Sequence, residues 1–190
     1  NRYDRKEEEN QIVRLVQEDF CQAMNVDPQL KYKPTLQSCF QLIKNESSFP
    51  IIDNRKFLRL IIFNGLIGNC DGHAKNISFI HDQGETFLAP FYDLLSTYVY
   101  PLSKRMAMRI GGKRHFHFLL PEHFEKFAKD VGIKYGIVKE TLLDMANESI
   151  AASKETTIHF NDLYGQSSIV DQINIVIKSG AQKKRTDFSS

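Results

Sequence analysis

At 190 residues the chain is the size of one domain or one large lobe, with 42% hydrophobic and 25% charged residues. That balance excludes a disordered chain, because this much apolar surface buries a real core. Lysines and arginines number 25 against 23 acids, and the formal charge of +2 excludes the footprint of a dedicated nucleic-acid binder.

The first ten residues are charged at both ends and read as the end of a strand followed by a solvated turn. Residues 18–24 read as a short helix, stopped by the polar turn at 25–28. Thr35 is placed as the N-cap of a helix reaching Lys44, with Leu36, Cys39, Phe40 and Ile43 at helical spacing. Asp53 is expected to cap the strongest helix, 53–69, which is apolar nearly all round and therefore buried. Its greasiest part, 57–67, is interrupted by Arg59 and Asn64 and is too short to span a membrane. Then the pattern changes. Residues 77–80 and 86–89 are short β-type runs about a polar turn containing Gly84, which is a hairpin signal. Residues 105–110 alternate, with Met106, Met108 and Ile110 on one side and Gly111-Gly112 at the end. Helices are predicted over 121–131, between Pro121 and Gly132, and then over 134–152 and 164–178. The tail, 182–190, carries Lys183, Lys184 and Arg185 and is expected to fray. Cys21, Cys39 and Cys70 lie far apart with no C-x-x-C, which fits small buried hydrophobes in a reducing, cytoplasmic compartment. The expected fold is mainly α with a small β insert.

Chemistry concentrates at 69–76, where a buried helix empties into Asn69-Cys70-Asp71-Gly72-His73-Ala74-Lys75-Asn76. Asp71 and Asn76 stand as D-x-x-x-x-N, the relation in a kinase catalytic loop between the base and a metal-binding asparagine. A carboxylate accepts the proton of an attacking hydroxyl, and an amide oxygen is a hard neutral ligand for Mg²⁺. A hairpin turn centred between Gly84 and Glu85 sets Asn76 opposite Asp93, a carboxylate suited to holding Mg²⁺ between phosphates. The bland alternative is an ordinary turn, since Asp-Gly and Asn are common turn residues.

The run Asp71-Gly72-His73-Ala74-Lys75-Asn76 resembles the D-x-H-x-K-N catalytic loop of the HipA-like toxin serine/threonine kinases. Other phrases follow in that family's order: Arg2-Tyr3-Asp4-Arg5, the run from Gln17 to Gln22, the run from Leu88 to Ser96, and Met106 to Gly112. The resemblance implies a protein-kinase-like C-terminal helical lobe, with a small β-hairpin insert carrying the catalytic loop. Residues 1–10 would be a hinge remnant of a preceding lobe, 11–181 the lobe itself and 182–190 its basic tail. It implies Asp71 as catalytic base, Asn76 and Asp93 as Mg²⁺ ligands, and ATP as the phosphoryl donor. His73 and Tyr92 would line the nucleotide site, and Asn1, Arg2 and Tyr3 the hinge that meets adenine. Asn1 departs from the acidic residue the family pattern expects there. Lys75 has two readings, offsetting charge at the transferred phosphoryl group or a structural pairing. The implied partners are a protein substrate, such as an aminoacyl-tRNA synthetase or other translation factor, and a helix-turn-helix antitoxin. Nucleic acid would be met only through that antitoxin, and no membrane is involved. No glycine-rich phosphate loop occurs in the sequence, and the chain opens on Asn1 rather than Met. The expectation is therefore a catalytic-loop lobe without its ATP-clamping lobe, with little activity alone.

Two rival readings stand beside this one. The chain is a non-catalytic lobe that binds an antitoxin, or His115, His117 and His123 form a zinc hydrolase site. The basic run of Lys104, Arg105, Arg109, Lys113 and Arg114 reads by default as a solvated face, with a phosphorylated segment, a protein or DNA as alternatives.

Overall fold

The computed structural model describes residues 2–189, so Asn1, expected at the nucleotide hinge, lies outside the described residues. The chain is mainly helical, and its contacts divide it into two units. One comprises residues up to 57 with 73–93, the other 58–72 with the residues from 94 onward. Among the described residues no helix is long and apolar enough to cross a membrane.

The first unit holds all the strands. β1 (Arg5–Glu8) and β2 (Gln11–Arg14) form a hairpin whose two turn residues, Glu9 and Asn10, both have left-handed φ (48° and 63°). That is the turn whose twist matches paired strands. β3 (Val16–Asp19) runs antiparallel to β4 (Ser78–Asp82), which pairs with β5 (Glu85–Leu88), giving the order β3-β4-β5. The expected hairpin is therefore no isolated insert, because a strand from early in the chain completes a three-stranded sheet. β3 takes Glu18 and Asp19 from the expected helix, and α1 shrinks to Phe20–Ala23. Asp19 caps it through a reciprocal pair of hydrogen bonds with Gln22, at 3.0 and 2.9 Å.

α2 (Leu36–Glu46) starts at the Thr35 cap as expected, with Leu36, Cys39, Phe40 and Ile43 buried. Phe20 centres this unit's core, its ring 4.9 Å from Phe79 and 6.1 Å from Phe57, and Phe40 lies 4.8 Å from Phe57. Burial of such rings contributes about 1.5–3 kcal/mol each.

α3 (Pro50–Ile67) begins three residues before the expected cap. Pro50 suits a first turn, where its missing N–H is not needed. Asp53 is consequently not an N-cap. It is fully buried inside the first turn, where it accepts hydrogen bonds from Ser47 Oγ (2.7 Å), the Leu88 amide (2.9 Å) and Lys56 Nζ (3.0 Å). The same 47–48 segment exchanges hydrogen bonds with Thr86, at 2.7 and 3.0 Å, along the edge of β5. One carboxylate thus ties helix, loop and sheet together.

The second unit is helical. α4 (Pro121–Val131) ends at Gly132 in the left-handed conformation, as expected. α5 (Tyr135–Tyr164) and α6 (Ser168–Asp187) pack on one another, and both are longer than their apolar patterns suggest. Polar residues from 153 onward mask the continuation of α5. Residues 105–110 are not a strand, although Met106, Met108 and Ile110 are buried; a single bridge joins Ile110 to Lys113. Phe116 presses so closely on α3 that a Cβ on Gly65 would lie 2.1 Å from its ring.

The tail expected to fray is instead part of the core. α6 runs through Asp187, Phe188 is buried 5.4 Å from the Phe124 ring, and Lys184 is fully buried. The Lys184 ammonium donates to the carbonyls of Leu119 and His117 and to Asp187, and lies 5.4 Å from the Phe116 ring. A lysine reads as surface by type, so no sequence pattern marks this one as buried.

Two outcomes follow from these buried charges. Asp53→Ala strands three donors, two of them on neighbouring elements, and costs about 3 kcal/mol in urea unfolding. Asp53→Asn, which keeps an acceptor oxygen, costs less. Burial pushes the Lys184 amine down from 10.5 to about 8. Between those values the unfolded chain binds more protons than the native one, so stability rises with pH from about 8 and levels near 10.5. Denaturant melts across that range show the rise in the wild type and lose it in Lys184→Met.

Candidate active site

The residues singled out by sequence fall in both units, and each group is built by its own scaffold. In the first unit, the 3₁₀ turn Ala74–Asn76 leads into β4 and presents Asn76. The Asn76 side-chain amide donates to Asp93 Oδ2. The expected partners therefore meet, but not across a strand ladder. The hairpin pairs Asp82 with Glu85, one residue earlier than anticipated, and β5 stops at Leu88. That register would set Asn76 opposite Phe91. The chain bends instead, and Asp93 takes a left-handed φ of 56°, a conformation costing a non-glycine residue about 1–2 kcal/mol.

Tyr92 holds that bend. Its hydroxyl donates to the Lys75 carbonyl (2.9 Å) and lies 2.6 Å from Ser78 Oγ, which also accepts from Gln17 Nε2 (3.0 Å). The Tyr3 hydroxyl donates to Gln17 Oε1 (3.0 Å), and the Tyr3 ring stacks on Tyr92 with centroids 5.7 Å apart and planes 9° apart. Burial pushes the Tyr92 phenol up, with the Ser78 bond opposing, so it stays a neutral donor. Arg2 grips Asp4 bidentately at 2.9 and 3.0 Å, and this bond holds the Asp4 carboxyl below its ordinary range. Arg2 is thus committed to its own turn.

His73 is buried, edge-on to the Tyr32 ring at 5.3 Å. Lys75 makes no ion pair among the described residues, so the structural-pairing reading of Lys75 has no partner. The Asn76 amide oxygen and the Asp93 carboxylate are hard oxygen donors brought side by side on a surface open to solvent, a donor set that fits Mg²⁺.

In the second unit, α3 ends at Gly68 (φ 72°) and the chain turns through Asn69 to an exposed Asp71. Buried Asn69 organises the turn. Its backbone amide donates to the Asn64 carbonyl (2.8 Å), its side-chain amide donates to Asn64 Oδ1 (3.1 Å), and its own Oδ1 accepts from the Asp71 amide (3.1 Å). Thr97 accepts from the Cys70 amide (2.8 Å) and donates to the Gly68 carbonyl (3.3 Å). Gly72 passes close enough to Asn64 that a Cβ would lie 2.9 Å from its amide nitrogen. Burial pushes the Cys70 thiol up, which leaves it a poor nucleophile. Sequence reading noticed Asn64 only as an interruption in an apolar helix, named Asn69 and Gln17 only as members of their runs without a role, and singled out neither Thr97 nor Ser78.

The three candidate zinc histidines do not assemble. Among the described residues no group of three His, Cys, Asp or Glu side chains is arranged to hold a metal ion. His123 accepts from the Leu120 amide at the start of α4 (3.1 Å), and His115 and His117 lie against Phe118.

A mainly helical chain with a small sheet and this Asp-Asn-Asp pattern matches, over residues 1–154, the family model described as the HipA-like C-terminal domain. The chain belongs to that family. It is 40% identical over 179 residues to a Sinorhizobium fredii protein named "Putative kinase Y4mE", covering 90% of this chain and 42% of that one. It is 24% identical over 174 residues to the Shewanella oneidensis "Serine/threonine-protein kinase toxin HipA", covering 83% of this chain and 40% of that one. The fold matches a chain from the Shewanella oneidensis toxin–antitoxin complex of HipA, HipB and operator DNA. The TM-score is 0.85 at 20% identity, covering 99% of this chain and 48% of the other. The chain thus spans less than half the length of these relatives.

Proposed function

We propose that the protein carrying this chain is an ATP- and Mg²⁺-dependent serine/threonine protein kinase of a toxin–antitoxin pair. These residues supply the base and the metal ligands of its catalytic lobe. The observation that carries the reading is the Asn76–Asp93 contact, a neutral and an anionic oxygen donor held together, with Asp71 five residues upstream of Asn76. The kinship with proteins named as kinases supports it.

In this reading Asp71 accepts the proton of the attacking serine or threonine hydroxyl as its oxygen bonds to the γ-phosphorus and the bond to ADP breaks. Asn76 and Asp93 hold Mg²⁺, which when bound offsets charge on the phosphate oxygens. Lys75 adds positive charge near the transferred group. His73 and the stacked Tyr3–Tyr92 pair shape the nucleotide side, with Arg2 fixing the hinge turn. The 190 residues contain no glycine-rich loop to cover the phosphates, so we propose that they are nearly inactive on their own. The partner proposed is a helix-turn-helix antitoxin that carries the DNA contact, in line with the HipA–HipB–operator complex of the structural relative. The substrate class proposed is a translation protein such as an aminoacyl-tRNA synthetase, acting in the cytoplasm.

Radiolabel transfer from ATP to protein hydroxyls, measured on the full-length protein, tests the reading. Asp71→Asn is expected to lower the rate about 10²–10⁴-fold, the worth of a general base. A near-normal rate removes Asp71 from that role and favours the non-catalytic antitoxin-binding lobe. Asp93→Ala is expected to abolish the Mg²⁺-dependent part of ATP binding by calorimetry, and unchanged affinity counts against the metal assignment.

A further inference from the structure

The sequence between Asp93 and Glu122 contains no acidic residue, yet it carries Lys104, Arg105, Arg109, Lys113 and Arg114. Among the described residues none of these five makes an ion pair. Lys104 is accounted for otherwise, since its ammonium donates to the carbonyls of Tyr98 and Tyr100 and lies 4.9 Å from the Tyr98 ring. Arg109 and Arg114 make only single long bonds to backbone carbonyls, Arg109 to Gly112 at 3.3 Å and Arg114 to Met106 at 3.4 Å, which leave their charges unneutralised.

Gly111 and Gly112, both with positive φ (53° and 88°), make a two-residue turn bridged by Ile110 and Lys113. In that antiparallel register the next pair outward is Arg109 and Arg114. Arg109 and Arg114 therefore flank one two-residue turn, and the turn cannot relax easily. A Cβ on Gly111 would lie 2.0 Å from the His123 carbonyl oxygen, so the turn is clamped against α4.

Arg114 is half-buried, its Nη1 donates to the Met106 carbonyl (3.4 Å), and its Nε is buried with no hydrogen-bond partner among the described residues. Burial first, and then the charges of Arg109 and Arg105, hold its guanidinium below the ordinary arginine value. A half-buried guanidinium with a donor left over thus sits at a clamped turn under the influence of two further like charges. An arrangement of that kind is unfavourable without an anion and well suited to one.

We propose that Arg105, Arg109 and Arg114 form a binding site for a phosphate monoester, the phosphorylated serine or threonine of a polypeptide. A single terminal phosphate suits the footprint, because Arg109 and Arg114 flank one tight turn. A nucleic-acid backbone would call for a longer stripe and a more basic chain than +2. Guanidinium forks pair bidentately with phosphate oxygens. The same segment exposes Leu102, Phe118 and Leu120, apolar side chains that would meet residues flanking the phosphate in a polypeptide. A phosphopolypeptide is also the product of the proposed kinase, and this biological sense rests on that reading; the binding itself does not.

Calorimetric titration of the full chain, without nucleotide or Mg²⁺, tests the site with a phosphoserine peptide, its unphosphorylated parent, inorganic phosphate and a short single-stranded DNA. The phosphopeptide is expected to bind and the parent not, with inorganic phosphate competing more weakly. Arg105→Gln and Arg109→Gln, both at exposed positions, are each expected to weaken phosphopeptide binding about tenfold, the scale of one charge-assisted bond. Their melting temperatures should be unchanged or raised, since each relieves like-charge repulsion. Equal binding of the parent, equal affinity in both variants, or complete displacement by chloride at matched ionic strength would overturn the proposal. So would DNA binding tighter than the phosphopeptide and lost in Arg109→Gln, which would assign the arginines to nucleic acid. Because no phosphoryl transfer is measured, failure here leaves the kinase reading standing, and failure of Asp71→Asn to slow transfer leaves this site standing.

Discussion

A single buried carboxylate organises the first unit. Asp53 sits in the first turn of α3 and accepts hydrogen bonds from its own helix, from the loop before it and from the backbone of β5. Stripping a carboxylate of water costs several kcal/mol, so Asp53 is tolerated only because the donors converge. That requirement fixes geometry. The helix cannot rotate, nor β5 slide by a residue, without leaving charge or amide unpaired. Because β5 carries the chain toward Tyr92 and Asp93, the position of these residues depends on that anchor.

Asn76 and Asp93 illustrate how such a frame is used. Asn76 ends a single 3₁₀ turn, and Asp93 lies outside any helix or strand and adopts a backbone conformation that its residue type disfavours. The Tyr92 hydroxyl offsets that cost by joining Lys75, inside the turn, to Ser78, the first residue of β4. The amide and the carboxylate are thus brought together by a bend that a neutral phenol holds in place. The backbone at Asp71 is held in the same spirit, its amide donating to Asn69, whose own side chain donates to Asn64.

Much of this was legible in the sequence where a local cause suffices. Thr35 before an apolar 3.6-residue pattern, Pro121 and Gly132 around α4, and the turn at Gly84 each act within a few residues. The acid–amide pairing of Asn76 with Asp93 was also anticipated, though from a turn centre one residue too late and a ladder that ends too soon. What escaped depends on distant partners. Asp53 has the residue type and position of a cap, and only β5, far along the chain, makes it a buried hub. β3 has no clean alternation because Val16 stays exposed, and its strand character comes from β4. Lys184 belongs to a basic stretch that reads as solvated, and its burial depends on carbonyls at 117 and 119. The histidines tempted a metal reading by spacing alone, but His123 is spent on the helix start.

The interlock of Gly65 and Phe116 has a bearing on how this family can vary. The ring occupies the space where any other residue at 65 would place its first carbon. A larger residue on the helix therefore demands a smaller one at 116; enlarging 65 alone is excluded by overlap, and shrinking 116 alone leaves a cavity. Across related sequences the two positions should vary as a pair, small against large, although fifty residues of chain lie between them. Such covariation would be a record of steric volume, carrying no information about chemistry.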